Sequence, residues 1–170
     1  MEKKKYIIAF VPQKNFNKYN KLSKKKINIH NYQLGIYSIP HVTIAQFYLE
    51  KSRVKDIWLD VCSQIPQKHI SLSFKKTSNV SFDGEVFWFS LIPEQITPLK
   101  EIHTIVSQIV RSIRTDEYDP HLTLFNYILT NLESKLVQSD IFMRDTFELV
   151  LGICDEVGQL RKILIKAVVH

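Results

Sequence analysis

The chain has 170 residues, of which 45% are hydrophobic and 24% charged, and it carries a formal charge of +6 with a pI near 9.2. This length fits one domain, four glycines and six prolines leave little room for long disordered linkers, and no apolar stretch approaches the roughly 18 residues of a membrane span. The positive balance favours an anionic partner, most commonly nucleic acid, although solvated surface lysines would give the same charge.

The first half of the chain alternates predicted strands and helices. Tyr6–Val11 is apolar and aromatic and predicts a strand, because the run is too short for a signal peptide and ends at Pro12. From Val54 onward, apolar residues recur at the spacing of an amphipathic helix. The other predicted elements are a lysine-rich helix at Asn15–Lys26, a strand at Ser38–Tyr48 and a short strand at Ile70–Phe74.

The second half is predicted to contain two hairpins. Asp83 and Gly84 form a turn signal between Val80–Phe82 and Val86–Leu91. A long helix is predicted from Pro93 to Ile113, because its apolar residues share one stripe. The remaining predicted elements are a strand at His121–Ile128, a helix at Leu132–Val137 and a final hairpin of Phe147–Cys154 with Leu160–Val169. Strands outnumber helices, which favours an α+β fold with antiparallel or mixed sheets.

The two cysteines, Cys62 and Cys154, are far apart in the sequence and form no CxxC or metal-type spacing. Both fall at apolar positions of predicted elements, so we expect small core residues, and nothing in the sequence requires a disulfide between them. These features indicate a reducing compartment. We therefore expect a cytoplasmic protein, and a monomer.

A five-residue motif occurs twice. Pro40–Ile44 reads Pro-His-Val-Thr-Ile, and Pro120–Leu124 reads Pro-His-Leu-Thr-Leu, 80 residues further on. Upstream, Phe10–Pro12 matches Leu91–Pro93 at an offset of 81. The repeat predicts one domain over residues 1–170, made of duplicated units at 5–65 and 85–140 and a C-terminal hairpin at 147–169. We expect two lobes related by a pseudo-twofold axis, with helices outside and the sheets facing a central cleft.

Each copy of the motif places a histidine and a threonine on one face of a strand, because side chains alternate along it. His41 and Thr43 share one face, as do His121 and Thr123, while the intervening aliphatic residues face the other way. Unpaired polar groups are costly to bury, so these faces need water, a ligand or a cleft. A pseudo-twofold arrangement brings them together at its centre.

Two histidines facing one phosphate suit the cleavage of a phosphodiester. One ring removes the proton of the attacking hydroxyl or water, and the other protonates the leaving oxygen. The unperturbed pKa of histidine is about 6.5, so a pair can hold one neutral and one protonated ring near neutral pH. The hydroxyls of Thr43 and Thr123 can donate hydrogen bonds to the non-bridging phosphate oxygens. The motifs therefore predict His41 and His121 as an acid–base pair.

Two other interpretations stay open. The polar faces of an old duplication could bind a terminal phosphate or a cyclic nucleotide without turnover, or only form hydrogen bonds inside the protein. Ligation of RNA ends is the reverse reaction on the same site. Tight binding with no product distinguishes the first, and joined product from 2′,3′-cyclic and 5′-hydroxyl ends distinguishes the second.

The paired motifs resemble those of the two-histidine (2H) phosphoesterases, which include 2′–5′ RNA ligase-like proteins, cyclic phosphodiesterases and 2′,5′-oligoadenylate phosphodiesterases. The resemblance covers nearly the whole chain, with proline in the first slot of each motif. It implies a bilobal α+β fold with a positively charged cleft and metal-independent cleavage of 2′,3′-cyclic or 2′–5′-linked phosphodiesters. It implies catalytic roles for His41 and His121, and phosphate-binding roles for Thr43 and Thr123. Many ligase-like members carry a basic residue soon after the second motif, where this chain has Phe125, Asn126 and Tyr127, so the motif does not identify the source of that charge.

Aromatic residues near the motifs are candidates for stacking on a nucleobase, and each could instead be a core residue. Phe47 and Tyr127 share the face of the motif histidines if the strands stay regular, and the other candidates are Tyr37 and Tyr118. We expect His103 to be a helix-flank or partly buried histidine. No partner is recognisable in the sequence for three further histidines, which are His30, His69 and His170.

Other motifs that carry chemistry are missing from the sequence. It has no HExxH or cysteine–histidine cluster for zinc, no Walker loop, no Rossmann glycine pattern and no GxSxG elbow. Lysine runs at Lys3–Lys5, Lys24–Lys26 and Lys75–Lys76 could attract a phosphate backbone or simply be solvated. We therefore predict RNA, an oligonucleotide or a cyclic nucleotide as the substrate, with no metal, no cofactor and no membrane partner.

Overall fold

The computed structural model describes residues 2–24, 29–114, 116–128 and 141–167. Numbered in chain order, the strands are β1 (Lys3–Pro12), β2 (Ile29–Gln33), β3 (Val42–Glu50), β4 (His69–Ser81), β5 (Val86–Pro93), β6 (Leu122–Ile128), β7 (Met143–Cys154) and β8 (Leu160–Lys166). The helices are α1 (Phe16–Lys24), α2 (Val54–Gln64) and α3 (Ile96–Ile109), with a 3₁₀ turn at Lys51–Arg53 before α2.

The eight described strands form one antiparallel sheet. Their order is β2-β6-β5-β4-β7-β1-β3, and β8 pairs with β7 beside this path. The predicted α+β fold with antiparallel strands is therefore confirmed, as are the β4–β5 and β7–β8 hairpins. The motif strands β3 and β6 lie far apart in this order, with four strands between them.

β3 pairs with β1 in the same register in which β6 pairs with β5. The matched pairs are Ala9–Thr43 with Ser90–Thr123, and Phe10–Val42 with Leu91–Leu122. Both ladders shift at the next position, where a β-bulge adds Ile44 to β3 and Leu124 to β6 as the extra residue. The sequence repeat thus coincides with a repeat of backbone pairing, down to the position of the bulge.

The bulge reverses which side chains of each motif strand face the core. The buried members of the main apolar cluster are Val42, Ile44, Ala45, Phe47 and Leu49 in β3, and Leu122, Leu124, Phe125 and Tyr127 in β6. Even-numbered residues face this core before the bulge and odd-numbered residues after it, because one extra residue shifts a period-two pattern. The predicted shared face of Phe47 and Tyr127 with the motif histidines is therefore wrong.

α3 is shorter than the predicted helix from Pro93 to Ile113. Pro93 ends β5, and the helix begins at Ile96. At the other end, Val110 has an extended backbone, with φ −117° and ψ 138°, and Ile113 lies beyond the helix. The apolar stripe is confirmed for the three buried residues of the helix, which are Leu99, Ile102 and Val106.

Three other features differ from the sequence interpretation or fall outside the description. The short polar strand β2 was not predicted; the side-chain oxygen of Asn126 holds it by accepting the N–H groups of Asn31 and Tyr32 at 3.1 and 2.8 Å. β4 is longer than the predicted strand at Ile70–Phe74. The predicted helix at Leu132–Val137 lies outside the described residues.

Both cysteines are free, and no described helix is long and apolar enough to cross a membrane.

The bulge in β3 makes a direct prediction about stability. Phe47 is 2% exposed and the next residue, Tyr48, is 52% exposed. We expect Phe47→Ala to lower the free energy of unfolding by about 3–5 kcal/mol through the cavity it leaves. Tyr48→Ala, the matched control, should change it by about 0.5 kcal/mol or less. Urea denaturation measures both, and comparable small losses would contradict the placement of Phe47 in the core.

Candidate active site

His41 and His121 immediately precede β3 and β6 and are held by the same hydrogen bond. Nδ1 of His41 lies 2.7 Å from the carbonyl oxygen of Ile39, and Nδ1 of His121 lies 2.8 Å from that of Asp119. A carbonyl oxygen only accepts, so each Nδ1 carries a proton and donates it. In the neutral ring this leaves Nε2 as the nitrogen that can take a proton from a ligand. Each motif therefore sets the tautomer of its histidine with its own backbone.

Burial keeps both rings neutral near pH 7. His41 is 5% exposed, and burial lowers its pKa to about 4, with the positive charges of His121 and Arg114 acting in the same direction. Burial also lowers the pKa of His121, while the carbonyl and the carboxylate of Asp119 raise it. The Asp119 carboxylate lies 3.9 Å from Nδ1 of His121, whose side chain is 29% exposed. His121 is thus the easier ring to protonate.

The two motif threonines border one cavity of about 430 Å³. Thr43 is half-buried, whereas Thr123 is 6% exposed and accepts a 3.4 Å hydrogen bond from the Ser90 hydroxyl. His121 lines the same cavity, and His41 is not among the lining residues. The structure therefore brings three of the four motif side chains to one space. The fourth, His41, lies outside the lining, but protonation of His121 would lower its pKa further.

The charges around this cavity differ from the positively charged cleft that the resemblance implies. Among the described residues, the lysines do not line it, and Arg114 is the basic side chain that does, apart from the histidines. Three acidic side chains line it as well, namely Asp116, Glu117 and Asp119. Of the predicted lysine runs, Lys75 pairs with Glu94 at 3.0 Å. The net charge of the chain is therefore not concentrated at this cavity.

Of the four aromatic residues predicted to stack on a base, Tyr118 lines the cavity. Phe47 and Tyr127 are buried in the core, and Tyr37 is 43% exposed on a turn that does not border the cavity. The aromatic side chains that the sequence interpretation missed are Phe82 and Trp88, which lie on or beside the β4–β5 hairpin and line the cavity.

The sequence interpretation also missed Arg114 and the part that His103 plays. Arg114 lies seven residues before His121 in the segment between α3 and β6, and its charge lowers the pKa of both motif histidines. An arginine in a connecting segment carries no signal of its own, so only the fold reveals it. His103 is partly buried, as expected, but it also lines the cavity. The described residues contain no group of three histidine, cysteine or acidic side chains that could hold a metal ion.

The fold is shared with solved structures of low sequence identity. Escherichia coli LigT complexed with 3′-AMP matches with a TM-score of 0.68 and 15% identity over 98% of each chain. The PDE domain of MHV ns2 matches with a TM-score of 0.56 and 16% identity, over 88% of this chain and 99% of that one. Usb1 of Kluyveromyces marxianus matches with a TM-score of 0.54 and 8% identity, over 88% and 93%.

LigT structures complexed with ATP and with NADP+ match as well. No family model matches the sequence, and no curated protein sequence is similar to it. At these identities the likeness establishes the LigT-like α+β fold. The resemblance inferred from the motifs is therefore confirmed at the level of the fold.

The burial of His41 predicts a loss of stability in mild acid. Its pKa is about 4 in the folded chain and about 6.5 when unfolded, so between these values the unfolded state binds more protons and stability falls as pH falls. We expect this to cost on the order of 3 kcal/mol between pH 7 and pH 4.

The check is denaturation of the wild type and His41→Asn across this pH range. The advantage of the wild type over the variant should shrink by that amount toward pH 4. His30→Asn, at an exposed histidine, is the matched control. Parallel curves for the wild type and His41→Asn would contradict the buried, neutral ring.

Proposed function

We propose that this protein is a 2H phosphoesterase that cleaves 2′–5′-linked or 2′,3′-cyclic phosphodiesters of RNA ends, oligoadenylates or related nucleotides without a metal. The observation that carries the proposal is the pair of histidines, each presented by an identical hydrogen bond at the start of a motif strand. A structural role for one histidine does not account for two with the same tautomer at the same position of two equivalent motif strands. The LigT-like fold supports the same class of reaction.

The proposed reaction needs one proton to be removed and another to be supplied. Nε2 of one histidine takes the proton of the attacking water as its oxygen forms a bond to phosphorus. The bond between phosphorus and the leaving ribose oxygen breaks, and the other histidine protonates that oxygen. Thr43 and Thr123 donate their hydroxyls to the non-bridging oxygens, where negative charge increases in the transition state.

We assign the base to His41 and the acid to His121. His41 is the more buried ring, and a pKa of about 4 keeps it neutral over most of the physiological range. His121 has the carboxylate of Asp119 beside Nδ1, which stabilises the protonated ring. A bound phosphate anion adds negative charge near both rings, and this favours protonation of the more exposed one.

Arg114 is the proposed source of positive charge for the phosphate. It lines the cavity, and its charge reaches both histidines, so an anion between them lies within its field. A cavity of about 430 Å³ lies in the usual size range of small-ligand sites, which suits a nucleotide or the end of a chain. The LigT complexes with 3′-AMP, ATP and NADP+ support nucleotides as the ligand class.

The shared register of β1–β3 and β5–β6 supports the further proposal that the site arose by duplication. Residues 5–65 and 85–140 would then be copies that each contribute a histidine and a threonine. The bulge at the same position in both copies is a backbone feature that the motif residues alone do not require. In this arrangement, each half supplies one proton-transfer group and one phosphate donor.

The roles of the histidines are tested with a substrate panel of 2′–5′ oligoadenylates, 3′–5′ oligomers and 2′,3′-cyclic nucleotides. We expect His41→Ala and His121→Ala each to lower kcat by about 10²–10⁴-fold, in excess chelator as without it. His30→Ala, an exposed histidine away from the cavity, is the matched control. Full activity of both motif variants, or a requirement for a divalent metal, would sink the assignment. Tight binding with no product from any substrate would identify a binding module instead.

The directions of the two pKa shifts predict an acidic optimum. The base must be neutral, and burial keeps His41 so down to about pH 4. The acid must be protonated, and because the pKa of His121 lies below its usual 6.5, the rate falls as pH rises through the neutral range. We therefore expect kcat/KM to be bell-shaped with its maximum below about pH 6.5. A maximum above pH 7 in the kinetic profile would contradict these assignments.

A further inference from the structure

Two side chains bind the outer edge of the first motif strand. The hydroxyl of Tyr118 donates to the carbonyl of Thr43 at 2.8 Å, and Nδ1 of His103 lies 2.7 Å from the carbonyl oxygen of Ile44, to which it donates. Successive carbonyls of a regular strand point to opposite edges, so the bulge is what offers both to one pair of donors. β3 is the last of the described strands in the sheet order, which leaves this edge available to side chains.

The two donors are held together as a stacked pair. The rings of His103 and Tyr118 are parallel to within 3°, with centroids 4.2 Å apart. Both side chains are half-buried, and Ser107 contacts Nε2 of His103 at 3.4 Å. Stacking fixes the distance between the two donors, so the pair acts as one clamp on two neighbouring carbonyls of β3.

The equivalent position in the second half is held differently. Leu124 corresponds to Ile44 at the offset of 80, and its carbonyl accepts the backbone N–H of Leu34 at 2.8 Å. The bulge of β6 is therefore held by backbone next to β2, whereas the bulge of β3 depends on side chains. Because of this difference, side-chain substitutions can change the position of the first motif more readily than that of the second.

Tyr118 also connects the clamp to the second histidine. The residue after it, Asp119, supplies the carbonyl that fixes Nδ1 of His121. A short path thus runs from the backbone of Thr43, through the Tyr118 hydroxyl and one peptide unit, to the imidazole of His121. The hydrogen bond that holds the first motif, the half-site of His41 and Thr43, therefore also influences the position of His121 in the second motif, the half-site of His121 and Thr123.

We propose that His103 and Tyr118 are positioning residues that set the spacing between the two half-sites, fixing Thr43 and His41 of the first motif relative to His121 of the second. The structural part stands on the contacts alone, and the effect on turnover rests on the proposed function. Neither side chain needs to touch the phosphate for this role. A misplacement of about 1 Å between reacting groups can cost about 10²-fold in rate.

The kinetic test compares variants that remove one hydrogen bond each. Tyr118→Phe keeps the stacked ring and loses the hydroxyl, and we expect kcat to fall about 10- to 100-fold while KM changes about twofold or less. His103→Ala should behave in the same way, and His103→Asn, which restores an N–H donor, should recover most of kcat. The control is Tyr48→Phe, at an exposed tyrosine.

A second measurement needs no substrate. NMR titration of the His41 ring in the free protein reports its burial, and we expect its pKa to rise toward the ordinary value in His103→Ala/Tyr118→Phe as water reaches the loosened edge. If both kcat and the pKa of His41 stay unchanged in this double variant, the proposal is overturned. A raised KM with unchanged kcat would also overturn it, because the pair would then bind substrate directly. If the wild type cleaves nothing and the pKa of His41 still rises, the positioning role stands and the proposed function fails.

Discussion

The rest of the site depends on hydrogen bonds at the outer edge of β3, where α3 and the segment after it contact this strand. The motif strands have four other strands between them, so pairing within the sheet cannot bring them together. Hydrogen bonds from His103, Tyr118 and the N–H of Ile113 to carbonyls of β3 tie α3 and the segment that follows it to this strand. These bonds also cover a strand edge that would otherwise be open to pairing with another chain. The cavity lies where the two motifs then meet.

Burial has opposite consequences for structure and for the proposed chemistry at this cavity. Removing His41 from water favours its neutral form, which suits a base but makes the ring costly to charge. The carboxylate of Asp119 offsets the same effect at His121. Two copies of one motif therefore have unequal proton affinities, because their surroundings differ while their own hydrogen bonds do not. A symmetric sequence repeat can serve an asymmetric acid–base reaction in this way.

Net charge gave little information about where an anion would bind. The chain carries +6, but several basic side chains of the described residues are engaged away from the cavity, as Lys75 is with Glu94, Lys166 with Glu148 and Lys5 with the carbonyl of Glu156. Among the described residues, Arg114 is the arginine or lysine side chain that the fold brings to the site, beside the acidic residues of the same segment. Electrostatics at a site depend on a few charges at close range, since exposed charges further away are screened.

The repeated motifs, the hairpins and an α+β class with antiparallel or mixed sheets were predictable from the sequence, because alternation and turn residues are local signals. It also identified His41, Thr43, His121 and Thr123 as one group. The adjacent apolar pairs Ile44–Ala45 and Leu124–Phe125 interrupt the alternation at the bulges. Regular alternation without a bulge placed Phe47 and Tyr127 on the wrong face of their strands. The tertiary structure alone decided the end of α3, the place of Arg114 and the contacts of His103 and Tyr118. The contacts of His103 and Tyr118 with the edge of β3 join residues that are far apart in the chain, and no local sequence pattern predicts such contacts.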